Sequence, residues 1–354
     1  MRNFAANDYL GLGRHPVLIE AARRASAEAG TGAGASRLVT GTDAAVLALE
    51  AELAAWKEKE AALVFSSGYA AALGTIPALV GRERHRIVDK LAHASLIDAA
   101  RLSSATVRSF PHNDLGRLAH LLAKVAAPGA RTLVVTESIF SMDGDAARLH
   151  ELVELKDRHG AWLLVDEAHA TALYGPTGAG LISAESLSGR VDVVMGTLSK
   201  ALGSVGGYIA GSRALIDWLV NRARSFVYST ALPPGVIAAS RAAVDLARGP
   251  EGATLRGRLG DNIARFHAGL PARWKKEALS ASAIQPLLCG DSAGALAMAA
   301  ALRGHGFLIP AIRLPDRPAP RRPAARHPQR PPYAAGNRGA APGSGDALEL
   351  PEFN

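Results

Sequence analysis

Three short stretches of the chain are apolar almost without a break: Arg131-Thr-Leu-Val-Val-Thr-Glu137, Trp162-Leu-Leu-Val165 and Val191-Asp-Val-Val-Met195. Such runs, apolar at successive positions rather than at every second one, predict strands covered on both faces. Elsewhere the apolar period lengthens to three or four residues. Val46, Leu49 and Leu53 predict a helix from Ala44 to Trp56, and Leu149, Leu152, Val153 and Leu155 predict another from Leu149 to His159. The resulting β-α-β-α order predicts an α/β fold with a mostly parallel central sheet flanked by helices. In open sheets of this kind ligands gather beyond the carboxyl ends of the strands. Glu137, Asp166, His169 and Lys200 fall at such ends.

With 354 residues the chain can bury a large core and has room for two domains. The one cysteine, Cys289, has no internal disulfide partner, and the amino terminus lacks a charged segment followed by an apolar signal core, so a cytoplasmic protein is expected. No apolar stretch is long enough to cross a bilayer as a helix, and no membrane partner is expected. The net charge of +8 hints at nucleic acid until its distribution is read. Residues 313 to 338 hold seven arginines against the single acid Asp316, leaving +2 for the rest. The same region packs eight prolines between Pro310 and Pro332 and is nearly devoid of Val, Ile, Leu and Phe after Leu314. It cannot readily build a core element, so 313–354 is expected to be an aberrant, disordered tail, and no nucleic-acid partner is expected.

The chemistry concentrates at the strand ends. Lys200 follows an apolar strand and precedes Gly203, Gly206 and Gly207, a setting in which a desolvated amine can be neutral and reactive. Asp166 and His169 share the loop after another strand. Alone, Asp166 reads as well as a helix-capping acid; the imidazole three residues on favours a functional pair. Ser66-Ser67-Gly68-Tyr69 follows the strand Leu63-Val64-Phe65 and offers backbone amides at a helix start for an anion, although the same residues would make an ordinary capped helix. His93, Asn7, Glu137 and Ser141 read individually as a helix-start histidine, a turn asparagine, a strand-end acid and a helix cap. Arg101 and Lys124 read as surface residues, and no set of metal ligands stands out.

Several motifs in fixed order carry a more specific signal: NDYLGL from Asn7, TGAGASRLVTGT from Thr31, FSSGYAA from Phe65, HASLIDAARLS from His93, TESIFSMDGD from Thr136, VDEAH from Val165, TLSK from Thr197 and YSTALPP from Tyr228. From Ala6 to Arg313 the chain resembles the pyridoxal-phosphate-dependent α-oxoamine synthases. The resemblance implies fold-type I, the aspartate-aminotransferase-like architecture, with pyridoxal 5'-phosphate as cofactor and a homodimer with shared active sites. It implies an arm over 1–30, a cofactor domain over 31–240 and a smaller carboxy-terminal α/β domain over 241–312.

The resemblance also implies roles. Lys200 bonds covalently to the cofactor aldehyde, Asp166 holds the pyridinium nitrogen protonated, His169 lies near the phenolic oxygen and His93 stacks on the ring. Ser67, Gly68, Tyr69 and Thr197 bind phosphate, Ser229 and Thr230 reach the phosphate of a neighbouring subunit, and Ser141 lies beside the cofactor oxygen. Asn7 and Glu137 lie near the substrate carboxylate. The expected reaction is decarboxylative condensation of L-alanine with a pimeloyl thioester, either pimeloyl-CoA or a pimeloyl-carrier protein, giving 8-amino-7-oxononanoate. A glycine-using sister activity and a noncatalytic homologue are the alternatives.

Both ends depart from the family. An amino-terminal helical segment is expected ahead of Asn7, so the arm is read as truncated. After Ala311-Ile312-Arg313 the family continues into an Ala-Arg-Leu-Arg strand. One coding of Arg322-Pro-Ala-Ala-Arg-His327 gives Ala-Arg-Leu-Arg-Val when read one nucleotide later, so a frameshift and an incomplete small domain are expected.

Overall fold

The computed structural model describes residues 1–81, 84–103, 106–125, 132–271, 274 and 280–313. Residues 314–354, nearly all of the expected tail, lie outside the described residues. The chain divides into two compact units. One holds Asn7–Ile263 and Ala281–Ile284; the other holds the described parts of Met1–Ala6, Ala264–Ser280 and Gln285–Asn354.

In chain order the strands are β1 (Arg2–Asn3), β2 (Ala61–Phe65), β3 (His85–Asp89), β4 (Thr106–Phe110), β5 (Thr132–Glu137), β6 (Trp162–Asp166), β7 (Val193–Thr197), β8 (Gly207–Gly211) and β9 (Phe307–Leu308). The helices are α1 (Pro16–Ala29), α2 (Ala44–Trp56), α3 (Gly68–Leu79), α4 (Ala94–Leu102), α5 (Leu115–Val125), α6 (Leu149–Arg158), α7 (Leu181–Ala184), α8 (Arg213–Arg222), α9 (Arg224–Val227), α10 (Pro234–Arg248), α11 (Pro250–Gly269) and α12 (Ser292–Gly304).

The larger unit is built on a seven-stranded sheet in the order β2-β8-β7-β6-β5-β3-β4. Strands β7, β6, β5, β3 and β4 run parallel, while β8 is antiparallel to both β7 and β2. The expected mostly parallel, helix-flanked sheet is therefore the one found, and its apolar runs have a simple cause. In β5, Val134 points into one core while Leu133 and Val135 point into the other; in β6, Leu163 and Val165 oppose Leu164; in β7, Val194 opposes Val193 and Met195. With both faces buried, the middle of each strand is apolar and the buried polar side chains fall toward the strand ends.

Helix α2 starts on Asp43, whose side chain accepts the Val46 amide at 2.9 Å, and buries Leu49 and Leu53 completely. Strand β8 (GYIAG) is set by close approach instead. A Cβ on Gly207 would stand 2.5 Å from the Gly68 nitrogen and 2.5 Å from the Ser67 carbonyl oxygen, so the strand can pass beneath the start of α3 only as glycine. In the smaller unit β1 and β9 pair in parallel, Arg2 opposite Phe307. No helix among the described residues is long and apolar enough to cross a membrane.

Candidate active site

The ends of β5, β6 and β7 carry the expected residues side by side. Glu137 and Asp166 are register partners across β5 and β6, and Asp166 pairs with Met195 two residues before Thr197. Asp166 is 4 % exposed and accepts the Ala168 amide at 2.8 Å. Burial raises its pKa, with Lys200 opposing. The loop beyond it turns His169 back over the strand ends, where its Nε2 lies 2.8 Å from Lys200 Nζ. Burial, then Lys200 and His93, push the His169 imidazole down to about 3, so it is neutral across the physiological range. Burial likewise lowers the pKa of Lys200, with Asp166 and Glu137 opposing. An amine, a neutral imidazole and a buried carboxylate thus converge.

His93 caps α4, its Nδ1 accepting the Ser95 amide at 3.2 Å, and its own amide donates to Glu137 Oε1 at 2.6 Å. The residue as a whole is exposed. Burial, then the Asp166 charge, raises Glu137 to about 8, which leaves it a neutral acid at pH 7.

The start of α3 is a second polar locus. Ser67 is the N-cap, its hydroxyl accepting the Ala70 amide at 3.0 Å, which leaves the Gly68 and Tyr69 amides pointing out of the helix with no intrahelical acceptor. Thr197 is adjacent, its Oγ1 3.8 Å from where a Gly68 Cβ would stand, and it donates to the Gly206 carbonyl at 2.9 Å. The Tyr69 hydroxyl donates to Asp98 at 3.0 Å. Ser141 is half-buried on the turn between the bridge partners Ile139 and Ala146, and Asn7 is exposed beside Tyr9. Ser229 and Thr230 are not joined to Lys200, Asp166 or His169 by any hydrogen bond among the described residues. They line a small cavity with Arg37, Ser66 and Phe226, and Thr230 bridges Ser36.

The aminotransferase class I and II model matches residues 1–322. The chain belongs to the aminotransferase class I and II family. Within it, the chain is 52 % identical over 316 residues to an 8-amino-7-oxononanoate synthase of Anaeromyxobacter dehalogenans, covering 89 % of this chain and 78 % of the relative. It is 48 % identical over 314 residues to the synthase of that name from Geobacter metallireducens, covering 89 % and 80 %. Among solved structures, a serine palmitoyltransferase from S. paucimobilis with a bound PLP–myriocin adduct superposes with a TM-score of 0.82 at 31 % identity, covering 88 % of this chain and 83 % of that one.

Two residues of this family member's site escaped the sequence reading. Tyr9 reaches His169 Nδ1 at 2.7 Å; it stood inside a quoted motif, but nothing local distinguishes it from a packing tyrosine. His112 links Asp89 at 3.1 Å to Asp145 at 2.9 Å, a relation across three loops that no spacing reveals.

Proposed function

We propose that this chain is a pyridoxal-phosphate-dependent α-oxoamine synthase that condenses L-alanine with a pimeloyl thioester, releasing the thiol and carbon dioxide and leaving 8-amino-7-oxononanoate. The observation that carries the reading is the convergence of the Lys200 amine, the neutral His169 and the buried Asp166 beyond the carboxyl ends of β6 and β7. The relatives of that name, about half identical over most of the chain, support the choice of substrates.

The donor set fits the cofactor. Asp166, held in place by the Ala168 amide, suits a protonated ring nitrogen, because a buried carboxylate gains most from a cation in contact. The free amides of Gly68 and Tyr69 at the start of a twelve-residue helix, with Ser67 and Thr197, suit a phosphate. His93, an exposed residue at the start of α4, would stack on the ring, and Ser141 would serve the cofactor oxygen. When bound, the cofactor supplies an aldehyde for covalent attachment and a cationic ring that draws electrons from the substrate's α-carbon.

The protein's own groups then divide the work. Lys200, with its lowered pKa, would be the amine that attaches to the aldehyde and, as a free amine, would take the proton from the substrate's α-carbon. Asp166 keeps a proton on the ring nitrogen. A protonated Glu137 donates to the substrate carboxylate without repelling it, and Asn7 adds an amide. Ser229 and Thr230 serve the phosphate of a second copy of the chain, which makes the working unit a homodimer.

Borohydride reduction of the cofactor-loaded protein followed by peptide mapping is expected to place the label on Lys200, and L-alanine with pimeloyl-CoA to turn over faster than glycine with acetyl-CoA. A label on another residue, or a preference for glycine, would overturn the corresponding part of the reading.

A further inference from the structure

The segment Asn7–Gly13 is fastened across the loop that bears Lys200. Leu10 and Leu12 are buried in the core, the Gly13 amide donates to Asp8 Oδ2 at 3.1 Å, and a Cβ on Gly203 would collide with the Gly13 nitrogen. This fastening delivers the Tyr9 hydroxyl to His169 Nδ1 at 2.7 Å, with the two rings 6.0 Å apart and tilted by 56°. The other ring nitrogen faces Lys200 Nζ at 2.8 Å. Tyr9, His169 and Lys200 therefore form a continuous hydrogen-bonded line.

A neutral imidazole has one N–H and one lone pair, so the line can run in only one direction at a time. The Tyr9 hydroxyl has a single proton and two acceptors in reach, His169 Nδ1 at 2.7 Å and Asn7 Oδ1 at 3.2 Å. The nearer acceptor takes it. A phenol is a strong donor, and a neutral amine accepts far better than it donates. The reverse direction would require the lysine to donate as an ammonium, the form that burial disfavours here.

We propose that Tyr9 is a positioning residue for Lys200: by donating to Nδ1 it fixes His169 as the Nε2–H tautomer, so that the lysine amine meets a proton donor. The arrangement favours the uncharged amine, because an N–H aimed at Nζ stabilises its lone pair and repels an ammonium. An acceptor such as the phenolic oxygen of the cofactor calls for the same tautomer. The inference deepens the reading of Lys200 given above, and its test involves neither cofactor nor substrate, so the two can fail separately.

The test is the nitrogen NMR spectrum of the full-length, cofactor-free protein labelled with 15N-histidine, with His169 assigned by the signals lost in His169→Asn. The wild type is expected to show a pyridine-type Nδ1 and a pyrrole-type Nε2. In Tyr9→Phe, which keeps the ring and removes only the hydroxyl, the two nitrogens should move toward each other as the tautomers mix. A second readout is the pH dependence of Lys200 acetylation by acetic anhydride, mapped by mass spectrometry against the exposed Lys124. Asp166, Glu137, His93 and His169, the groups that face the amine, all remain in Tyr9→Phe. The reactive fraction of Lys200 below its pKa should therefore fall about 3- to 10-fold, since one pKa unit is tenfold. A pyrrole-type Nδ1 in the wild type overturns the proposal even if the variant does not fold, and so does an unchanged tautomer in a folded Tyr9→Phe.

Discussion

Glu137 and Asp166 stand opposite each other in register at the carboxyl ends of β5 and β6, two buried carboxyl groups on neighbouring strands. Like charges so placed cannot both persist at low cost. Asp166 has the neighbouring Lys200 as its principal counterweight to burial, whereas Glu137 is held up to about 8 by burial and by the Asp166 charge. The proton is therefore assigned to Glu137 and the charge to Asp166.

The first prediction follows from that assignment. A carboxyl whose folded pKa lies above its unfolded value near 4.5 contributes stability that is complete below pH 4.5 and lost as the pH rises through about 8. Glu137→Gln copies the protonated form and can still accept the His93 amide. In the cofactor-free protein it should match the wild type near pH 5 and gain on the order of 2 kcal/mol by pH 8. Urea unfolding of both proteins at the two pH values checks this, and a wild type that is relatively more stable at pH 8 refutes the assignment.

A second buried charge lies one residue further along. Lys57 Nζ donates to Glu167 Oε2 at 2.9 Å, to Thr171 Oγ1 at 3.1 Å and to the Ala179 carbonyl, with both side chains of the ion pair at most 2 % exposed. Glu167 in turn accepts the Ile182 amide at 2.8 Å, so the pair fastens the loop after Asp166 to the end of α2. Lys57→Met strands a buried carboxylate and should cost about 3–5 kcal/mol, whereas Lys57→Met/Glu167→Leu should recover much of the loss. Unfolding midpoints of the two variants separate a stranded charge from simple loss of packing.

These features differ in how far the chain's local pattern could announce them. Strands β5, β6 and β7 and helices α2 and α6 were legible because burial on two faces, or on one stripe, writes itself into consecutive residues. Strand β8 was not, because Gly-Tyr-Ile-Ala-Gly is selected by clearance, with Gly207 under α3 and a Cβ on Gly196 barred by the Tyr208 hydroxyl. Lys200, Asp166 and His169 were legible as strand-end groups within family motifs. Tyr9, 160 positions from its partner His169, and Lys57, 110 positions from Glu167, acquire their roles only through the fold.

Gly207 supplies a third prediction. A methyl group there would meet the Gly68 nitrogen and the Ser67 carbonyl, both backbone atoms of the turn proposed to hold the phosphate, which cannot swing aside as a side chain could. Gly207→Ala should displace the start of α3 and weaken pyridoxal phosphate binding at least about tenfold, about 1.4 kcal/mol. Spectrophotometric titration of the cofactor-free protein gives the dissociation constant. Unchanged affinity would mean that the amides of Gly68 and Tyr69 do not hold the phosphate.

His112 gives the last. Its Nδ1 faces Asp89 at 3.1 Å and its Nε2 faces Asp145 at 2.9 Å, while its ring packs edge-on against Phe140 with centroids 4.3 Å apart. Burial alone would push the imidazole down, but the hydrogen bonds to Asp145 and Asp89 outweigh it and raise the pKa to about 9. Phe140 and Asp145 belong to the turn that carries Ser141, and Asp89 ends β3 just ahead of His93. The imidazolium thus ties two walls of the site together. A histidine with its folded pKa raised above 6.5 contributes stability that is complete below pH 6.5 and lost as the pH rises through about 9. His112→Gln keeps one donor and removes the charge. It should be less stable than the wild type at pH 6, with a gap that narrows steadily to pH 10, as thermal unfolding across that range would record. A gap that widens with pH would show that His112 is neutral in the folded protein and that the two carboxylates are held by other means.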